Sequence, residues 1–324
     1  MYTRDELKDI INRAIQNMDF DDETPVLYEP VRYLLTSNGK RIRPVMTLMA
    51  CNLFTDKVEN AIIPAIGLEV FHNFTLMHDD IMDNAAVRRG NQTVHVKWDM
   101  NQAILSGDVM AFTANDCIAQ APPETLRKVI HLFNDVAIGV CRGQQMDMDF
   151  EKARYASEDD YLRMVELKTA VLFAGALKIG AIIGGAGEAD ADLLYSFGRN
   201  LGLAFQIQDD ILDAYGDPSV FGKKRGGDII SNKKTILLIK AFELASGEDL
   251  KTLHAQLALA EFDPDDKIKA VMSVFDRIGV KKHTERIAFD YVKEAFTSVE
   301  KLNIDPLRKE PLLTLAHDMI VRSR

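Results

Sequence analysis

Asp79-Asp80-Ile81-Met82-Asp83 and Asp209-Asp210-Ile211-Leu212-Asp213 are two copies of one pattern, D-D-x-x-D. Each follows an apolar stretch with helical spacing. In a helix, positions i and i+4 share a face, so Asp79 points with Asp83 and Asp209 with Asp213. Three carboxylates inside an apolar segment are costly unless something positive neutralises them. Hard divalent cations with oxygen ligands do this, and Mg²⁺ usually binds through one or two carboxylates plus substrate phosphates. Two facing trios would suit a metal-bridged polyphosphate. A single D-D-x-x-D is more simply a solvated helix face. Two copies, both set among Leu, Ile, Met and Phe, fit that reading poorly.

The residues before each motif extend the pattern. His72, Thr75, Asp79 and Asp83 form one polar stripe at offsets of three and four. Gln206, Asp209, Asp210 and Asp213 form another. Such a stripe on an apolar helix lines a cavity or an interior network. Cations cluster nearby in three places: Gly39-Lys40-Arg41-Ile42-Arg43-Pro44, Val87-Arg88-Arg89-Gly90, and Gly222-Lys223-Lys224-Arg225-Gly226-Gly227-Asp228 with Lys233 beyond. Alone, each cluster would be a surface loop. Beside the acidic motifs they read as a phosphate clamp, since Arg binds phosphate bidentately and Lys binds it as a point charge.

The elements that must carry these groups are helical. Apolar residues at helical spacing predict helices over 5–18, 44–54, 61–82, 101–120, 125–150, 157–184 and 190–214. Further helices are predicted over 233–245, 249–259, 264–278, 280–302 and 310–322. Ser157 before Asp159 and Asp160 reads as an N-cap with an acidic first turn. Gly184-Gly185-Ala186-Gly187 reads as a helix stop. Only Gln92 to Val96 hints at a strand. With 324 residues, 47% hydrophobic, and no Pro/Gly/Ser-rich linker, the expectation is one all-α domain over 1–324. The helices near Ala61 and Ala170, apolar nearly all round, are expected at its centre.

A net charge of −10 argues against nucleic acid as a partner. Cys51, Cys117 and Cys141 are scattered and odd in number, as in a reduced cytoplasmic protein whose thiols serve as small core residues. The N-terminus has early acids and no apolar core of a signal peptide. No apolar run reaches the roughly 18 residues of a membrane span, so no integral membrane association is expected.

Taken in order, Leu76-Met77-His78-Asp79-Asp80-Ile81-Met82-Asp83 with Arg88-Arg89-Gly90, then Phe205-Gln206-Ile207-Gln208-Asp209-Asp210-Ile211-Leu212-Asp213, form a very specific set. On these residues the chain resembles the trans-isoprenyl diphosphate synthases, the polyprenyl synthetases that include farnesyl and geranylgeranyl diphosphate synthases. The resemblance runs from Gly39-Lys40 nearly to the C-terminus and includes Gly216-Asp217-Pro218. It implies an isoprenoid-synthase-type bundle of helices around a deep cavity, usually a homodimer. It implies condensation of isopentenyl diphosphate with an allylic diphosphate, a step of isoprenoid biosynthesis.

By that resemblance Asp79, Asp83 and Asp209 are Mg²⁺ ligands, with Asp80, Asp210 and Asp213 supporting them through waters, and three Mg²⁺ ions hold the allylic diphosphate. Arg88, Lys168, Lys223 and Lys233 also bind that diphosphate, while Lys40, Arg43, His72 and Arg89 hold isopentenyl diphosphate. Lys168, Thr169 and Gln206 are catalytic, Thr169 and Gln206 lying near the developing allylic cation. Phe71, Phe74 and Thr75 lie where relatives set product length. One aromatic beside one small residue at 74 and 75, with two spacers in the first motif, points to twenty carbons ahead of fifteen. Two rivals rank lower. A terpene cyclase normally carries a different second metal motif and lacks the Gly39-Lys40…Arg43 segment. A non-catalytic partner subunit typically loses one or both acidic motifs, and both are intact here.

Overall fold

The structure is a computed structural model, and it describes residues 1–324 except 21, 22, 38, 154, 218–224 and 322–324. The architecture is all-α. Among the described residues the helices are α1 (Arg4–Gln16), α2 (Pro25–Thr36), α3 (Ile42–Phe54), α4 (Glu59–Met82), α5 (Val94–Lys97), α6 (Met100–Ala119), α7 (Pro123–Lys152) and α8 (Glu158–Val165). A π-helical turn, Glu166–Ala170, leads into α9 (Val171–Ile183) and α10 (Glu188–Tyr215). After these come α11 (Gly227–Ile230), α12 (Ile236–Leu244), α13 (Gly247–Ala258), α14 (Pro264–Arg277), α15 (Val280–Glu300) and α16 (Pro306–Val321).

Two compact units are distinguishable. One comprises Met1–Ala137, Gly175–Tyr195 and Leu302–Leu312; the other comprises Ile138–Ala174, Ser196–Lys301 and Leu313–Arg324. The chain passes from one to the other inside α7, α9, α10 and α16 rather than through a linker at those points. In the first unit α4 is the hub and packs on α1, α2, α3, α5 and α6. It can do so because Ala61, Ala65, Ile66, Leu68, Val70 and Phe71 are all buried. Each large apolar side chain removed from water there stabilises by about 1.5–3 kcal/mol. In the second unit Tyr161, Val165, Ala170, Ile207, Ile211, Ile236 and Phe275 belong to one buried cluster.

Local signals account for the helix starts. Thr3 with Glu6 and Ser157 with Asp160 form capping boxes. Asp263 accepts the backbone N–H groups of Asp265 and Asp266. Gly185, at φ 92°, follows the end of α9.

Four expectations need correction. Helix α2 is not among the expected helices; it carries Pro30 inside it, and burial of Val31, Leu34 and Leu35 outweighs the lost hydrogen bond. The expected strand over 92–96 is confined to Gln92, because Val94–Lys97 forms a helical turn. The helix expected from Lys233 begins only at Ile236, where Thr235 caps it, so Lys233 lies outside it. Cys51 and Cys117 are buried as small core residues, but Cys141 is exposed.

Candidate active site

The first acidic motif closes α4. Helical geometry separates its three aspartates. Asp80, a step of about 100° from Asp79 around the helix, turns into the protein and is 2% exposed. Arg88 Nε donates to its Oδ1 at 2.6 Å. Burial raises the Asp80 carboxyl above its usual range while Arg88 pulls the other way. Asp79 is half-buried and Asp83 exposed.

Arg88 and Arg89 sit on a hairpin in which Val87 pairs with Gln92 and Arg88 with Asn91. The two central residues, Arg89 and Gly90, have φ of 53° and 79°, as a type I′ turn requires. An arginine held at positive φ is uncommon outside turns and functional sites. The turn also places the two neighbouring arginines differently: Arg88 is anchored to Asp80 and Arg89 occupies the tip.

On the same unit Arg43 Nη1 lies 3.1 Å from His72 Nε2. Arginine can only donate, so Nε2 accepts and the imidazole carries its proton on Nδ1. Burial, then Arg43 and Arg89, push His72 well below the ordinary imidazole range and keep it neutral. Arg41 belongs elsewhere. It is buried, its Nη1 donates to Glu69 Oε1 at 2.7 Å, and its Nη2 donates to the carbonyls of Leu35 and Ser37. It pins the loop that carries exposed Lys40 to the middle of α4.

The second motif, on α10, repeats this division. Asp210 is 5% exposed and takes hydrogen bonds from within the unit. Tyr161 donates to Oδ2 at 2.6 Å and Gln206 Nε2 donates to Oδ1 at 3.2 Å. Burial raises its carboxyl to about 6, against the opposing pull of Lys233 and these donors. Asp213 Oδ2 accepts the N–H of Asp228 at 2.9 Å, closing the turn that leads into α11. Asp209 is half-buried.

Lys168 and Thr169 lie on the π turn between α8 and α9. A π turn inserts one residue into a helix and is frequent at functional sites. Here glycines permit it. A Cβ at Gly143 would fall on the backbone nitrogen of Lys168, and one at Gly202 on Cα of Ala170. Lys168 Nζ meets Asp147 Oδ2 at 2.6 Å, and the Thr169 hydroxyl donates to Gln206 Oε1 at 3.2 Å.

The structure thus brings together Lys168, Thr169, Gln206 and Asp210 in one unit, and Asp80 with Arg88 and Arg43 with His72 in the other. Lys233 is exposed in the turn before α12. Lys223 lies outside the described residues. On α4, Phe71 is buried edge-on against Phe133 at 5.4 Å, and half-buried Phe74 packs between Phe71 and His78. The Thr75 hydroxyl donates to its own helix at His72 O. Sequence reasoning missed Asp147, Tyr161 and Glu69. Asp147 was detectable, because Gln144, Asp147 and Glu151 form a polar stripe on α7 of the kind used on α4. Nothing marked Tyr161, which looks like any core aromatic.

The donors suit a hard cation, being carboxylate oxygens with partly accessible outer members at Asp79, Asp83 and Asp209. Among the described residues no three His, Cys, Asp or Glu side chains form a cage by themselves. Mg²⁺ needs none, since substrate phosphates and waters complete its shell.

An all-α fold with an acidic motif near the end of each of two helices is that of an isoprenoid-synthase-type enzyme. The polyprenyl synthetase family model matches residues 24–275. The geranylgeranyl diphosphate synthase of Methanosarcina mazei is 37% identical over 91% of this chain and 90% of its own. That of Sulfolobus acidocaldarius is 38% identical over 92% and 91%. A crystal structure of a geranylgeranyl pyrophosphate synthase superposes with a TM-score of 0.95 at 40% identity, covering all of both chains. The synthetase of Pyrococcus horikoshii superposes at 0.92 with 33% identity, over 98% and 97%. The chain belongs to the polyprenyl synthetase family and is a trans-prenyltransferase of the short-chain kind.

Proposed function

We propose that this chain condenses isopentenyl diphosphate with an allylic diphosphate, head to tail, to give geranylgeranyl diphosphate. The observation that carries this is the pair of intact acidic motifs, each with its inner aspartate anchored and its outer aspartates toward the surface, in a chain resembling geranylgeranyl diphosphate synthases. Asp79, Asp83 and Asp209 would ligate Mg²⁺, three ions per site. Bound Mg²⁺ supplies Lewis-acid and electrostatic withdrawal of the diphosphate leaving group. Arg88, Lys168 and Lys233 neutralise that diphosphate; Lys40, Arg43, Arg89 and neutral His72 hold the second. Thr169 and Gln206 turn dipoles toward the allylic cation. Incubating purified protein with both substrates and Mg²⁺, then chromatographing the products, tests the reading. A twenty-carbon diphosphate is expected; no condensation would sink it, and a fifteen- or twenty-five-carbon product would correct the length.

The arginine pair should divide between the substrates. Arg88→Ala should raise KM for the allylic substrate, and should destabilise the fold by about 1–3 kcal/mol because buried Asp80 loses its donor. Arg89→Ala should mainly raise KM for isopentenyl diphosphate. Equal effects on both constants in both variants would show that the division is wrong.

We also propose a homodimer. Met100, Ile104, Leu105 and Phe112 share one arc of α6 and are exposed, Phe112 at 78%. Phe112→Glu should cost about 2 kcal/mol or more of association. Light scattering after gel filtration should show the wild type as a dimer and the variant shifted toward monomer; an unchanged mass would move the interface elsewhere. No helix among the described residues is long and apolar enough to cross a membrane.

A further inference from the structure

The four hydrogen-bonding groups around the π turn form a chain with a fixed polarity. Tyr161, 2% exposed on α8, donates its hydroxyl to Asp210 Oδ2. The other oxygen of that carboxylate takes the Gln206 amide N–H. An amide that donates at its nitrogen end must turn its carbonyl the other way, and Gln206 Oε1 meets the Thr169 hydroxyl. Thr169 therefore spends its proton on Gln206, which leaves oxygen lone pairs as what Thr169 presents elsewhere. Had the amide been flipped, two acceptors would oppose one another at Asp210, the amide carbonyl against the carboxylate, and two donors at Thr169. The orientation is thus decided several bonds away, by a carboxylate whose second oxygen is held by a buried phenol.

We infer that Tyr161 is a positioning residue for the condensation, which sets through Asp210 the direction of the Gln206 amide and hence the electronegative face of Thr169. The inference rests on the proposed prenyl transfer and deepens it. A positive charge developing on the allylic substrate is stabilised by lone pairs and destabilised by a hydroxyl proton aimed at it. Tyr161 touches no substrate in this scheme. It acts by preventing Asp210 from rotating and releasing the amide.

Tyr161→Phe keeps the ring in its buried cluster and removes only the oxygen. It should lower kcat by about tenfold, the weight of one hydrogen bond to a charged group, and change both KM values by less than about twofold. The same substitution placed on Gln206→Ala should have almost no further effect, because residues acting through one another are non-additive. A second cycle with Thr169→Val reads the same coupling if Gln206→Ala turns over too slowly. A purely structural role would lower the melting temperature and multiply through both cycles. An unchanged kcat, multiplicative losses, or an effect confined to the Mg²⁺ concentration needed for half-maximal rate would each overturn the inference. Full activity in Gln206→Ala would instead remove Gln206 from the proposed chemistry.

Discussion

Asp79→Ala and Asp209→Ala are each expected to lower turnover at least about a thousandfold, the scale of a lost metal contact to a leaving group. Stability should change by no more than about 0.5 kcal/mol, since both side chains are only half-buried and each substitution relieves repulsion among neighbouring carboxylates. The inner aspartates should behave differently. Asp210→Ala would strand the buried Tyr161 hydroxyl and the Gln206 amide, at a cost of about 1–3 kcal/mol in stability as well as activity. Turnover assays with Mg²⁺, paired with denaturant unfolding, measure both quantities. Near-normal turnover by either outer variant would refute the metal assignment, and an Asp210→Ala protein as stable as the wild type would refute the inner anchor.

Phe74→Ala is expected to lengthen the product. The resemblance implies that bulky residues on the helix preceding the first motif set chain length, and there the structure separates the candidates. Phe71, about 11–12 Å below Asp79 by helical rise, is buried against Phe133 and belongs to the core. Thr75 is small, with its hydroxyl bound back to the helix. Half-buried Phe74, braced by Phe71 and His78, remains as the bulky group. Its removal opens a void that a longer prenyl chain can fill, with a stability loss of no more than about 3 kcal/mol for a half-buried ring. Thr75→Phe should shorten the product toward fifteen carbons. Product chromatography decides: an unchanged distribution in Phe74→Ala would place the floor on another helix.

The sequence by itself determined a good deal. Helical periodicity located most of the helices, and the spacing of Asp79 with Asp83 and of Asp209 with Asp213 put each outer pair on one helix face. Residue order identified the family, because the motifs and their flanking cations form a combination that chance rarely produces. These are local properties, read along one helix at a time. The tertiary structure decided what depends on groups distant in the chain. It buried Asp80 beside Arg88 and Asp210 beside Tyr161, so that in each trio one aspartate became an inner anchor while the other two stayed more accessible. It turned Arg41 from a phosphate clamp into a buried partner of Glu69, and gave Lys168 its Asp147. It placed Thr169 on a π turn against which Gly143 and Gly202 let neighbouring backbones approach. Periodicity says which face a side chain occupies. Whether that face meets water, a cation or a phenol depends on which helix packs against it, and only the folded chain settles that.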